Sequence, residues 1–259
     1  MKRIIITSLS LYALVISTFA QVRQFHFQGN TISVDISTTI DEYYAEALNG
    51  SWNCIPVVIE CGAKEYHYTK AEYLYGMSFM QGIDVIQDIN EGVIWLKKAA
   101  NKNDPEALGE LGYYYMSNNN MSLAEQYLLK SNQYGGNYAK LNLGILYRQK
   151  NDINLAETYY KQAISDGPKG QVRAAQELSQ LYMSQNRITD GLWSLSKGAN
   201  LGDAWCAGYL GSILYFFGAK CTNNPTEQDK REGLYWLNFA AQNGNPNAIH
   251  DLERINQTK

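Results

Sequence analysis

Histidine is nearly missing from this chain: His26, His67 and His250 are the only 3 in 259 residues, and none has a carboxylate or cysteine at ligand spacing. That dispersal argues against a metal centre. No serine or cysteine sits in a nucleophile-elbow context, and no glycine-rich loop has the form that cradles phosphate, so no cofactor is expected. Basic clusters are absent too. With 22 lysines and arginines against 25 acidic residues the net charge is −3, which makes nucleic acid and anionic lipid surfaces poor partners. Past residue 20 no apolar run is long enough to cross a bilayer. Adjacent acids such as Asp41-Glu42 and the Asp229 to Glu232 cluster are placed where they would favour the starts of helices.

The first twenty residues carry a different signal. Lys2 and Arg3 precede an apolar run from Ile4 to Ile16, and Thr18-Phe19-Ala20 offers small residues where a signal peptidase reads. This is the pattern of a cleaved export signal, with cleavage expected after Ala20 and a periplasmic or secreted product. An uncleaved anchor is the alternative, and the run is short for a span. Cleavage would leave 20 basic against 25 acidic side chains, a net charge of −5. The 4 cysteines suit an exported chain that uses disulfides sparingly. Cys54 and Cys61 are the candidate pair, with Pro56 and Gly62 nearby. Cys206 and Cys221 fall at opposite ends of an expected helix, too far apart to bridge.

Residues 21–37 alternate, with Phe25 and Phe27 before Gly29-Asn30 and Ile32, Val34 and Ile36 after it. Period-two spacing around such a turn predicts a short β-hairpin or extended arm. A lone hairpin is marginal in water, so it must dock, and the first helix pair is the expected dock. Thr38, Thr39 and Asp41-Glu42 predict a helix running to about Leu48. Pro56 suits the first turn of a second helix from Ile55 to Ala63. Residues 38–70 therefore read as a degenerate first helix pair.

Repetition organises the rest. Glu91 to Ala107 has a near-copy at Glu232 to Ala248, and repeat starts fall at Ala71, Ala107, Ala139, Ala174 and Cys206, with a half-repeat at Ala248. Counting each start as position one, position five is Tyr75, Leu111, Leu143, Leu178 or Leu210, and position six is Gly76, Gly112, Gly144, Ser179 or Gly211. Positions one, five, eight and nine form one buried helical face. A second helix follows in each unit, carrying Trp95, Tyr127, Tyr159, Ser194 or Trp236, with Ala99, Ser131, Ala163, Gly198 or Ala240 four residues on. One helix pair cannot cover its own apolar face, whereas stacked pairs do. The expected fold is all-α, a right-handed α-α solenoid of about five to six helix-pair repeats behind the N-terminal hairpin or arm.

Ala71-x3-Tyr75-Gly76-x2-Phe79, Gly82, Asp88 and Gly92-x2-Trp95-x3-Ala99-Ala100 together resemble one Sel-1-like repeat (SLR), a branch of the tetratricopeptide-type helical repeats. The resemblance runs over residues 71–259. The units opening at Ala107 and Ala139 have Asn118-Asn119-Asn120 and Lys150-Asn151-Asp152 in place of a glycine-rich loop, which is closer to plain tetratricopeptide units. The resemblance is to an exported member of bacterial type, and it implies an adaptor that binds proteins or peptides, without catalysis of its own in most members. Some cysteine-rich secreted members of the family are linked to penicillin binding or hydrolysis. Ser194-Leu195-Ser196-Lys197 has the S-x-x-K form of penicillin-recognising enzymes, but Ser194 holds a repeat position and no K-T-G follows.

Surface then becomes the candidate site. At 100° per residue, positions three, seven and ten of each first helix point away from the buried face. They hold Tyr73, Met77 and Met80; Tyr113 and Met116; Leu141, Ile145 and Arg148; Gln176, Gln180 and Met183; and Ser212 and Tyr215. Methionine and tyrosine suit an adaptable protein-binding stripe on the concave side, the alternative being that neighbouring first helices bury much of it. The expected function is an exported, non-enzymatic repeat protein holding a protein partner there, as an envelope adaptor or as an immunity protein that neutralises a secreted effector. An enzyme that binds or hydrolyses β-lactams is the competing class.

Overall fold

The computed structural model describes residues 22–27, 30–52, 56–167, 169–221 and 223–257. The expected export signal and Cys54 lie outside them. The chain divides into two compact units, one ending at Leu111 and the other beginning at Gly112.

The first unit opens with β1 (Val22–Phe27) and β2 (Asn30–Asp35), paired antiparallel with Val22 opposite Asp35. Asp35 ends β2 and caps α1 (Ile36–Leu48), its carboxylate accepting from the Thr38 amide. Proline opens α2 (Pro56–Lys64), where its missing N–H costs no helical hydrogen bond. Just past the end of α2, Glu65 forms an ion pair with Arg23 of β1, whose guanidinium also lies 5.2 Å from the Tyr66 ring centre. The hairpin is thus tied to the first helix pair. There follow α3 (Thr69–Gln81), α4 (Ile89–Asn101) and the first half of α5 (Pro105–Ser117).

The second unit takes the rest of α5 and then α6 (Met121–Gln133), α7 (Ala139–Gln149), α8 (Ile153–Asp166), α9 (Gln171–Ser184), α10 (Ile188–Asn200), α11 (Ala204–Phe217), α12 (Glu227–Gln242) and α13 (Pro246–Gln257). From α6 on, each helix packs on its sequence neighbour, and α7 also touches α9 and α11 touches α13. This is the α-solenoid class, all-α apart from the hairpin. Among the described residues no helix is long and apolar enough to cross a membrane.

Turn chemistry repeats with the helices. Asn103, Asn119, Asn151 and Gly202 take the left-handed conformation, with φ of 64°, 59°, 61° and 89°, and stop the preceding helix. The next residue starts the following one. Asp104, Asn120, Asp152 and Asp203 each accept a hydrogen bond from the amide three residues on, satisfying a donor the helix start leaves open. The longer insertion before α12 ends in a capping box between Thr226 and Asp229.

Small residues set the distance between helices of a pair. A Cβ added to Gly76 would stand 3.0 Å from the Gly92 carbonyl and the Leu96 amide, and one on Gly211 would stand 2.8 Å from the Leu237 amide. The residue lying over the glycine is Leu96, Leu128, Tyr160 or Leu237. That is one position after Trp95, Tyr127, Tyr159 and Trp236. The aromatics instead meet other rings: Tyr75 and Trp95 lie edge to face at 5.0 Å, while Tyr115–Tyr127 and Tyr147–Tyr159 stack at 5.4 Å.

Candidate functional site

The structure redistributes the expected stripe. Tyr73, Met77, Met116 and Leu141 are buried and offer no binding surface. Tyr73 packs edge to face with Tyr44 of α1 at 5.2 Å, so the degenerate first pair covers what looked like an open face on α3. Met116 and Leu141 belong to the core that links α5 through α9. Met80, Ile145, Met183 and Tyr215 are half-buried, Ile145 against that core and Met183 and Tyr215 against the next one. Tyr113 and Gln180 are exposed. Arg148 is half-exposed and bound in an ion pair.

The physical reason is that first helices have first-helix neighbours. Gln176 and Arg148 turn toward the next repeat: the Gln176 amide donates to Asp203 at 3.1 Å, and Arg148 of α7 reaches Glu177 of α9. The face left to solvent is rotated from the expected one. It is formed by the residue before each repeat start and by positions four, seven and eleven. In the second unit these supply Tyr138, Asn142, Ile145 and Gln149 from α7, then Arg173, Gln180 and Ser184 around the buried Glu177 of α9, then Trp205, Tyr209, Ser212 and Phe216 from α11. Trp205 and Tyr209 are 37% and 42% exposed, with ring centres 5.5 Å apart, and Tyr138 is 47% exposed. Such large rings on a solvent face make a surface suited to a protein partner.

One charged cluster lies within this face. Glu177 is buried, and each of its oxygens takes a guanidinium: Oε2 faces Nη1 of Arg148, and Oε1 is 2.6 Å from Nη2 of Arg173. The Arg173 side chain is 63% exposed and that of Arg148 37%. The cluster carries one net positive charge, and both arginine side chains keep exposed surface. The motif S-x-x-K, by contrast, is not poised for chemistry. Ser194 has no exposed surface and its hydroxyl donates to the Asp190 carbonyl at 3.0 Å. Among the described residues no group of His, Cys, Asp or Glu could hold a metal. A cleft between Trp52, Ile59, Tyr75 and Val85 has about 10 Å³ of free space, room for about one water rather than a substrate. The expected Cys54–Cys61 bridge rests on Cys54, outside the described residues. Cys61 is buried beside Arg23, and burial pushes its thiol pKa up.

Helix pairs with left-handed turns, glycine-set spacing and a solvent face of first helices define a helical-repeat protein. Comparison with known proteins gives the particular kind. Residues 69–104 and 207–245 match the Sel1 repeat family, and residues 138–165 match a tetratricopeptide repeat. Two stretches of the chain thus carry Sel1 repeats, and α7–α8 carries a tetratricopeptide-type repeat. Similar solved structures include a protective antigen of uropathogenic Escherichia coli with an SLR fold, at 23% identity and a TM-score of 0.65 over 82% of this chain and 47% of that one. The chain therefore spans about half the length of that antigen. A Sel1 repeat protein from Oxalobacter formigenes is 23% identical with a TM-score of 0.59, over 80% of this chain and 87% of its own. Pseudomonas aeruginosa pilF is 14% identical with a TM-score of 0.58, over 85% and 97%. These likenesses concern the fold.

Proposed function

We propose that this protein is exported and holds a protein partner on the first-helix face of its second unit, without catalysing a reaction. The observation that carries the reading is the exposed Trp205–Tyr209 pair on α11, in line with Arg173 of α9 and Tyr138 of α7. Rings of this size on a face already stacked against its neighbours add nothing to the fold and a good deal to a contact. The export signal read in residues 1–20 places that partner in the envelope or outside the cell. An envelope adaptor and an immunity protein against a secreted effector would use the same face, and the identity of the partner separates them. The β-lactam reading loses its nucleophile, because the Ser194 hydroxyl is enclosed and bonded to its own helix.

The test is capture of the partner from the native host by the tagged protein, identification by mass spectrometry, and repetition with Trp205→Ala plus Tyr209→Ala. The pair of changes should lower partner affinity at least about tenfold with folding intact. Unchanged affinity would sink the proposal. Amino-terminal sequencing of the exported protein should begin at Gln21; a chain beginning with the leader would contradict the export reading.

A further inference from the structure

The α7–α8 repeat departs from its siblings at two positions, and both departures meet in one place. Position ten of the first helices is Met80, Met116, Arg148, Met183 and Tyr215, so this repeat alone has a cation there. The second-helix position over the small residue is Leu96, Leu128, Tyr160, Leu195 and Leu237, so this repeat alone has a hydroxyl there. Tyr160 has no exposed surface, and its hydroxyl has no hydrogen-bond partner among the described residues. Its ring crosses Gly144 closely enough that a Cβ there would stand 2.5 Å from Cδ1. Burial raises the phenol pKa, and the charges acting on it are Arg148, Glu177 and Arg173. A buried hydroxyl with no partner is a cost that leucine avoids in every sibling repeat. Stacking therefore does not account for it.

We propose that Arg148, Arg173, Glu177 and Tyr160 form a site for the carboxylate side chain of an acidic segment in the partner protein. The proposal rests on the protein-binding reading and names the chemistry of its partner. Glu177 neutralises one guanidinium and fixes the positions of both, leaving one positive charge for an incoming carboxylate. The planar fork of arginine matches a carboxylate at two points. In this site the Tyr160 hydroxyl is assigned as the donor that Glu177 gains when Arg173 turns to the ligand. Tyr138 and Trp205 occupy the same repeat position as Arg173 on the first helices to either side, so apolar residues flanking the acid would find aromatic surface. The face stays open along Gln149, Gln180 and Ser184, all exposed. A chain can cross it, which fits a side-chain carboxylate rather than a chain terminus.

The probe is a fluorescent decapeptide of alternating glutamate and leucine, blocked at both ends, titrated into the full chain by anisotropy. Its glutamine counterpart should bind at least about tenfold more weakly, and salt should weaken the acidic peptide. Arg173→Gln, at an exposed position, should cost a similar factor, while Lys230→Gln on α12 should cost none. Tyr160→Phe should weaken binding about threefold without lowering the thermal midpoint. Equal binding of both peptides, or an indifferent Arg173→Gln, overturns the site. So does a Tyr160→Phe chain that gains stability and binds as before, and so does a glutamine peptide with a free C-terminus that matches the blocked acidic one. If a captured partner is lost on Trp205→Ala plus Tyr209→Ala yet ignores Arg173→Gln, the carboxylate site fails alone. If it ignores all of them, the binding face fails as well.

Discussion

Glu110 and Glu177 hold the same place in the repeat, position four of a first helix, one in each unit. Their surroundings are opposite. Burial, aided by the neighbouring Glu106 charge, pushes the Glu110 carboxyl up to about 7. Glu177 is buried too, but Arg148 and Arg173 each give it a guanidinium. The scaffold is alike at both sites, with a small residue at position six, Gly112 in one repeat and Ser179 in the other. The comparison teaches that the repeat fixes where a side chain points, while the neighbouring first helix fixes what it meets.

The shared scaffold is the place for the largest effect. Gly211→Val would drive a Cβ against the Leu237 amide, which is backbone and gives little, and should cost about 3 kcal/mol or more in urea unfolding. An undiminished midpoint would mean the close approach is not needed. Next comes the charge difference. Arg148→Met restores the residue that siblings use and leaves Glu177 with Arg173 alone. The half-exposed arginine softens the loss to about 1–2 kcal/mol at pH 7, and a smaller loss would show that Arg173 suffices.

Glu110 supplies the pH arm. Its folded pKa is about 7 against an ordinary carboxylate value of 4.5, so between those values the folded state binds more protons than the unfolded one. Stability from this group is therefore greatest at low pH and falls as pH rises from about 4.5 through 7. Glu110→Gln should remove that fall and stabilise the protein by about 1 kcal/mol at pH 8, measured by urea unfolding across pH 5–8. Glu157 moves the other way, held down to about 2 chiefly by Arg187, so its contribution is present above about 4.5 and lost as pH falls toward 2. The smallest effect is Ser194→Ala, which removes one hydrogen bond to a helical carbonyl. Stability should shift by less than about 1 kcal/mol, and hydrolysis of a chromogenic β-lactam should be the same before and after.

Much of the fold is legible because its signals are local. The hairpin alternates around its turn, Asn or Gly stops a helix, and the next Asp or Asn starts another, all within a few residues. The site was less legible. The periodicity leaves open whether neighbouring first helices cover the stripe of positions three, seven and ten, and the structure covers it at Tyr73 and Met77, with Tyr44 of α1 packed on Tyr73. Trp205, Tyr209 and Arg173 were passed over for the same reason. A signal for the polar cluster was available in the alignment of the repeats with one another, where Arg148 and Tyr160 are the odd residues at their positions.

The sequence by itself determined the repeat, its period and the helix boundaries, because caps, turns and a 3.6-residue pattern act between residues close in the chain. Only the tertiary structure decided which side of each first helix meets water and which charges come together. Arg148 and Glu177 are 29 residues apart and join solely through the packing of α7 on α9. A rotation of tens of degrees about a helix axis separates buried from exposed, and that angle is set by neighbours in space.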